Sequence, residues 1–214
     1  MKKITNKYFV KLCEVIKRSL TESSKIESCL VDMVDASEDD CGHDHVYQDA
    51  SHNMEVIKLD EYTKDFDLKR RNSVASIKQH QPCAVDAVCV NKNNEWFLIE
   101  FKNQSLDAAL VSTSKKMLSS VWLIAFLYSS LSEKISDIDD ILRFAREKIT
   151  FILVVNSAKN SNFEEAIGTT WEEGGVYYTP SKFEQYKGYY FKDVYVLTEK
   201  GLRFFVEKFD ELQI

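Results

Sequence analysis

Apolar residues recur at helical spacing through the first part of the chain. Phe9, Leu12, Cys13, Ile16 and Leu20, then Ile26, Leu30, Met33 and Val34, give the stretch from Asn6 to Val34 a helical stripe. The pattern predicts two helices, with Thr21 as the cap between them. A third helix is predicted over Met54 to Leu68, with Val56, Leu59, Tyr62 and Phe66 on one face. Between these, Ala36 to Ser51 has few large apolar groups and reads as a solvated loop.

The period then shortens. Ser73 to Ile77 reads as a strand, and Ala84 to Val90 (AVDAVCV) and Trp96 to Phe101 (WFLIEF) read strongly so, being rich in β-branched and aromatic groups. The four residues Asn91-Lys92-Asn93-Asn94 form the turn of a hairpin, because Asn tolerates left-handed backbone. Ser105, with Asp107 behind it, opens a long helix that runs to Leu131. Ser136 followed by Asp139 resembles a capping box for a helix over Asp137 to Lys148. Phe151 to Val155 is a continuous apolar run, as in a strand covered on both faces. Asn160 to Gly188 is loop-rich, Asp193 to Leu197 is a late strand, and Thr198 caps a final helix to Glu211. No internal repeat is visible. Helices, a hairpin, a helix, a buried strand, then strand and helix describe an α/β fold with a central mixed sheet flanked by helices. The expected organisation is a helical extension with an acidic loop over 1–53, followed by an α/β domain over 54–214.

Composition narrows the class. With 44% hydrophobic and 29% charged residues the chain carries enough apolar surface for a core, which excludes a disordered or fibrous protein. Five cysteines without a CxxC pair argue against a disulfide framework. Lys7, Lys11, Glu14 and Lys17 interrupt any signal-peptide core after Met1-Lys2-Lys3. The apolar stretch from Met117 to Leu131 is too short to span a bilayer and includes Ser119, Ser120, Ser129 and Ser130. It reads as a buried helix containing Trp122, Ile124 and Leu127. A soluble, reduced, cytoplasmic protein with no membrane partner is expected, and homo-oligomerisation is left open.

The formal net charge of −6 is unevenly spread. Cys29 to Glu55 holds eight acidic residues and neither Lys nor Arg, so the remainder of the chain is slightly positive. The acidity therefore belongs to one segment and does not exclude a nucleic-acid partner.

The informative chemistry lies in and beside the hairpin. Glu100 and Lys102 are two apart on a strand and share a face, while Phe97, Ile99 and Phe101 take the other. If Asn91 pairs with Glu95, Asp86 lies directly opposite Glu100, with Cβ atoms about 4.5–5.5 Å apart. A loop longer by one residue would turn Asp86 to the opposite face. Two carboxylates and an ammonium on one face suit a hard cation such as Mg²⁺, which needs one or two protein carboxylates and keeps several waters. Lys102 is then placed to position or deprotonate a water, or to stabilise developing negative charge.

Asp86, Glu100-Phe101-Lys102 in a β-hairpin and the helix that follows together resemble the core of the PD-(D/E)XK nuclease superfamily, the restriction-endonuclease-like fold. The resemblance covers roughly Met54 to Asn156. It implies a nuclease hydrolysing phosphodiester bonds in DNA or RNA, with Mg²⁺ as cofactor and Mn²⁺ as substitute. It also implies that Asp86, Glu100 and Lys102 are catalytic, with Asp86 and Glu100 on the metal, and that Gln104 is a further polar group of the site. A helix glutamate often completes such sites, and Glu61 or Glu55 could match it. Pro82 departs from the motif, standing four residues before Asp86 where Val85 is adjacent. Because some members of such a superfamily have lost catalysis, the alternative is an inactive nuclease-like protein that binds a partner.

Other clusters carry two readings each. Lys115 and Lys116, on the helix after the strand, either reach a phosphate backbone or form a solvated face. Lys69, Arg70 and Arg71 either bind an anion or stabilise a helix C-terminus. Cys41, His43, His45 and His52 offer zinc ligands but match no usual spacing. Tyr177, Tyr178, Tyr186, Tyr189 and Tyr190, interleaved with Lys182, Lys187 and Lys192, either stack on bases or pack against the strands.

Overall fold

A computed structural model describes residues 2–20, 25–38, 44–64, 83–131, 137–161 and 178–211. The expected cap at Thr21, the strand at Ser73 to Ile77, and Phe66, Lys69, Arg70, Arg71, Cys41, His43, Ser136 and Tyr177 lie outside the described residues.

Six strands form one mixed sheet in sequence order: β1 (Leu30–Asp32), β2 (Glu55–Lys58), β3 (Ala87–Val90), β4 (Trp96–Lys102), β5 (Ile149–Val155) and β6 (Asp193–Leu197). The first four pair antiparallel, and β4, β5 and β6 run parallel. Every residue of β3 and β5 is buried; for β5, paired parallel on both sides, this is what helices on both faces of the sheet require. The chain is thus α/β, a mixed sheet flanked by helices.

Helix α1 (Lys7–Ser19) buries Phe9, Leu12 and Ile16 at the spacing expected and packs against α5. Asn6 caps it by accepting from the Tyr8 and Phe9 amides, and its own amide group donates to the Val90 carbonyl at 2.8 Å. One cap thereby ties the helix start to the end of β3.

The next two expected helices differ from what forms. In place of one helix to Val34 there is a short α2 (Ile26–Cys29), then β1, then a short α3 (Met33–Ala36). Asp32 accepts from the Asp35 amide and so restarts the helix after the strand. In place of a helix from Met54, β2 comes first, and helical residues 59–64 (α4) follow. Val56 and Ile57 are both fully buried, and β2 sits between β1 and β3. Sheet pairing outweighs helical spacing here, because a four-residue strand is too short to show its own period. Residues 30–32 therefore belong to the same sheet as the rest.

Downstream, expectation and structure agree more closely. α5 (Leu106–Leu131) and α6 (Ile138–Lys148) connect β4 to β5. The cap of α6 is Asp137, which accepts from Asp140 N. Trp96 on β4 meets Tyr128 of α5 and Phe144 of α6 edge-on, at 5.9 and 5.5 Å between centroids. On the opposite sheet face Phe97 packs on Phe205 of α8 (Glu199–Lys208) and on Phe209, at 5.0 and 5.6 Å. α7 (Ser181–Glu184) places Phe183 against Phe151. Trp122 is a correction: Ile124 and Leu127 are buried as expected, but Trp122 is 59% exposed, beside exposed Val111 and Leu118 on α5. Among the described residues no helix is long and apolar enough to cross a membrane.

Candidate active site

The site grows out of the β3–β4 hairpin. Asn91 accepts from the Asn93 and Glu95 amides at 2.9 and 3.0 Å, and Asn94 takes the left-handed conformation, φ 58°. Asn91 N donates to the Glu95 carbonyl, and the pairing runs from Val90 opposite Trp96 to Ala87 opposite Ile99. The next position in that register sets Asp86 against Glu100. This is the register under which the two carboxylates meet.

The ladder stops at Ala87, and a side chain takes over. Asp86 Oδ2 accepts from the Phe101 amide at 2.7 Å, while its carbonyl accepts from Leu59 N at 3.0 Å. The same residue is thus fixed to β4 by its carboxylate and to α4 by its backbone. Glu100 is fully buried. Its Oε1 lies 2.6 Å from Lys102 Nζ and 2.8 Å from Lys116 Nζ, and Lys116 Nζ also lies 3.1 Å from Asp86 Oδ1. Glu100 Oε2 is buried and accepts no hydrogen bond. The cluster balances two carboxylates with two ammonium groups in a partly desolvated place.

Burial, then the charge of Glu100, pushes the Asp86 carboxyl up to about 7. Burial works against the Lys116 charge, yet Asp86 and Glu100 outweigh it and hold the ammonium above its ordinary range. Asp60, on α4, is also raised, by burial first and by Asp86 next. It is therefore the helix carboxylate that feels the charge of Asp86. The sequence offers Glu61 or Glu55 for a helix glutamate. Glu61 instead pairs with Lys64 on its own helix. Glu55 lies on β2, where its charge adds to burial in raising the Cys13 thiol to about 12. Asp60 was detectable only through the helix phase, which starts at Leu59.

Of the remaining expected site residues, Gln104 donates from its side chain to Ser112 Oγ at 3.0 Å, on the outer side of α5. Lys115 is exposed, whereas its neighbour Lys116 turns inward to the carboxylates. Lys116, which the sequence offers either to a phosphate backbone or to a solvated face, lies among the acids. His45 contacts the Val34 carbonyl, and His52 lies between Asp49 and Glu207. Lys187 pairs with Asp193 and Lys192 with Glu95, while Tyr189 is 65% exposed. Among the described residues no group of three or more His, Cys, Asp and Glu side chains is gathered closely enough to hold a metal ion by itself.

No family model matches the chain, no curated protein matches it, and no solved structure matches it. The geometry above therefore carries the functional reading alone.

Proposed function

We propose that the chain is a Mg²⁺-dependent nuclease of the PD-(D/E)XK type, with a restriction-endonuclease-like core, acting on DNA or RNA. The observation that carries this reading is the meeting of Asp86, Glu100 and Lys102 on one face at the end of a hairpin, with Glu100 fully buried. A buried carboxylate in an apolar strand is costly unless something positive is bound there. The donor set also suits a hard cation: Asp86 and Glu100 supply oxygens only, and Glu100 Oε2 has acceptor capacity unused. From β2 on, the run β2, α4, β3, β4, α5, α6, β5, paired antiparallel up to β4 and then parallel, supports the same core.

In this reading Asp86 and Glu100 would hold the cation, which when bound supplies a positive charge for the phosphate and lowers the pKa of a water. Lys102 holds Glu100 in place and presents an ammonium beside the reacting phosphate, where it stabilises negative charge or orients the water. Asp60 adds a further acid beside Asp86.

The test is cleavage of DNA and RNA with and without Mg²⁺ or Mn²⁺. Glu100→Ala and Lys102→Ala are each expected to lower the rate by roughly a hundredfold or more. Cleavage that survives both substitutions, or that needs no metal, removes the mechanism. One observation favours a second reading, a non-catalytic binding module: the four charges at the site already balance one another. Absence of Mn²⁺ binding, with folding intact, would decide for it.

A further inference from the structure

Two lysines reach Glu100, and they come from different elements. Lys102 belongs to the same strand and pairs with Glu100 at 2.6 Å. Lys116 descends from the covering helix α5 and bridges both acids, 2.8 Å from Glu100 Oε1 and 3.1 Å from Asp86 Oδ1. A single positive centre between those two carboxylates is what a divalent cation would also have to be. Glu100 is buried, and two carboxylates this close need positive charge to remain ionised in a folded chain. Lys116 supplies that charge from a flexible stem whose side chain is 23% exposed, so a path outward exists.

We propose that Lys116 is the resident counter-ion of this site: its ammonium fills the place between Asp86 and Glu100 that a divalent cation takes, and it withdraws when the cation binds. The inference rests on the reading of Asp86 and Glu100 as cation ligands. It assigns to Lys116 two effects that a phosphate-contacting lysine would not have. The metal-free protein is stabilised by it, and cation affinity is lowered by it. Glu100 Oε2, buried without a hydrogen-bond donor, marks acceptor capacity that the ammonium leaves unused.

Calorimetric titration of the full chain with Mn²⁺ alone tests this. Lys116→Met is expected to bind Mn²⁺ roughly tenfold more tightly than the unaltered protein, since a competing charge is gone. Lys116→Arg, which keeps the charge, is expected to bind no more tightly. Metal-free Lys116→Met should also melt at a lower temperature and recover on adding Mn²⁺. A second measurement uses the unaltered protein and does not depend on the variant folding. Saturating Mn²⁺ should raise acetylation of the Lys116 amine severalfold relative to exposed Lys115, as read by peptide mass spectrometry. Equal or weaker Mn²⁺ binding by Lys116→Met, or acetylation of Lys116 unmoved by Mn²⁺, overturns the counter-ion role. Mn²⁺ binding that Glu100→Gln leaves unchanged, or none in any form of the protein, instead overturns the ligand assignment on which it rests.

Discussion

Asp86 does two jobs with one carboxylate. One oxygen replaces a missing ladder partner by accepting from Phe101 N, and the other faces Lys116. Its pKa, raised from 3.8 to about 7 by burial and then by Glu100, has a consequence for stability. The native chain holds this proton more tightly than the unfolded chain. The stabilisation is thus complete below about pH 4 and is lost as the pH rises to about 7. Asp86→Asn keeps an acceptor for Phe101 N but carries no charge. Without metal, its melting temperature relative to the unaltered protein should rise between pH 5 and pH 8, by about 2–4 °C for each kcal/mol recovered. A difference that does not change with pH would show that Asp86 does not titrate in that window. At this scale the sequence disclosed Asp86, Glu100 and Lys102, because strand alternation and one turn fix their relation. It did not disclose Lys116 or Asp60, whose roles depend on how α5 and α4 are rotated against the sheet.

At the scale of elements, the hairpin decides the site. Asn94 at φ 58° is where the turn requires left-handed backbone, which a β-branched side chain resists. Both Asn94→Val and Asn94→Gly lose the acceptor for the Trp96 indole, so the backbone strain is read as their difference: Asn94→Val is expected to cost about 1–2 kcal/mol more than Asn94→Gly. Denaturant unfolding of both variants checks this, and equal midpoints would mean that the turn rearranges freely. The same element was the most legible part of the chain, since Asn-rich residues between two β-branched runs leave little choice of structure. β1 and β2 were not legible. Their apolar residues, Leu30 and Val56 among them, fit a helical stripe equally well, and only pairing with neighbouring strands selects the extended form. Trp122 departs from its expected burial for a related reason. An uncharged stretch on α5 predicts burial all round, yet α5 lies on the sheet by one side and shows Val111, Leu118 and Trp122 on the other.

For the whole molecule, the charge pattern now has a place. Among the described residues of the acidic segment, Asp49 pairs with Arg203 at 2.6 Å, and His52 contacts Glu207 at 2.8 Å. Both partners lie on α8, the helix whose Phe205 covers the sheet face opposite Glu100. This part of the segment is therefore anchored by the helix behind the sheet. The hydroxyl of Ser51, donating to Asp49, helps hold that carboxyl below its usual range, so the pairing with Arg203 persists well into acid.

The change from antiparallel to parallel pairing at β4 also has a consequence in time. β3 meets β4 across the five residues 91–95, whereas β4 meets β5 only after α5 and α6 have been threaded over the sheet. Closing the shorter loop costs less entropy, so the hairpin is the natural nucleus and the parallel half condenses on it. Stopped-flow kinetics should then find that Asn94→Val mainly slows refolding, while Phe151→Leu in β5 mainly speeds unfolding. The reverse assignment would place the nucleus in the parallel half. In the expected order, Asp86 and Glu100 are brought face to face before α5 arrives with Lys116. The folding chain passes through a moment when Asp86 and Glu100 face each other with Lys102 alone to offset them, and α5 then adds the ammonium that bridges both.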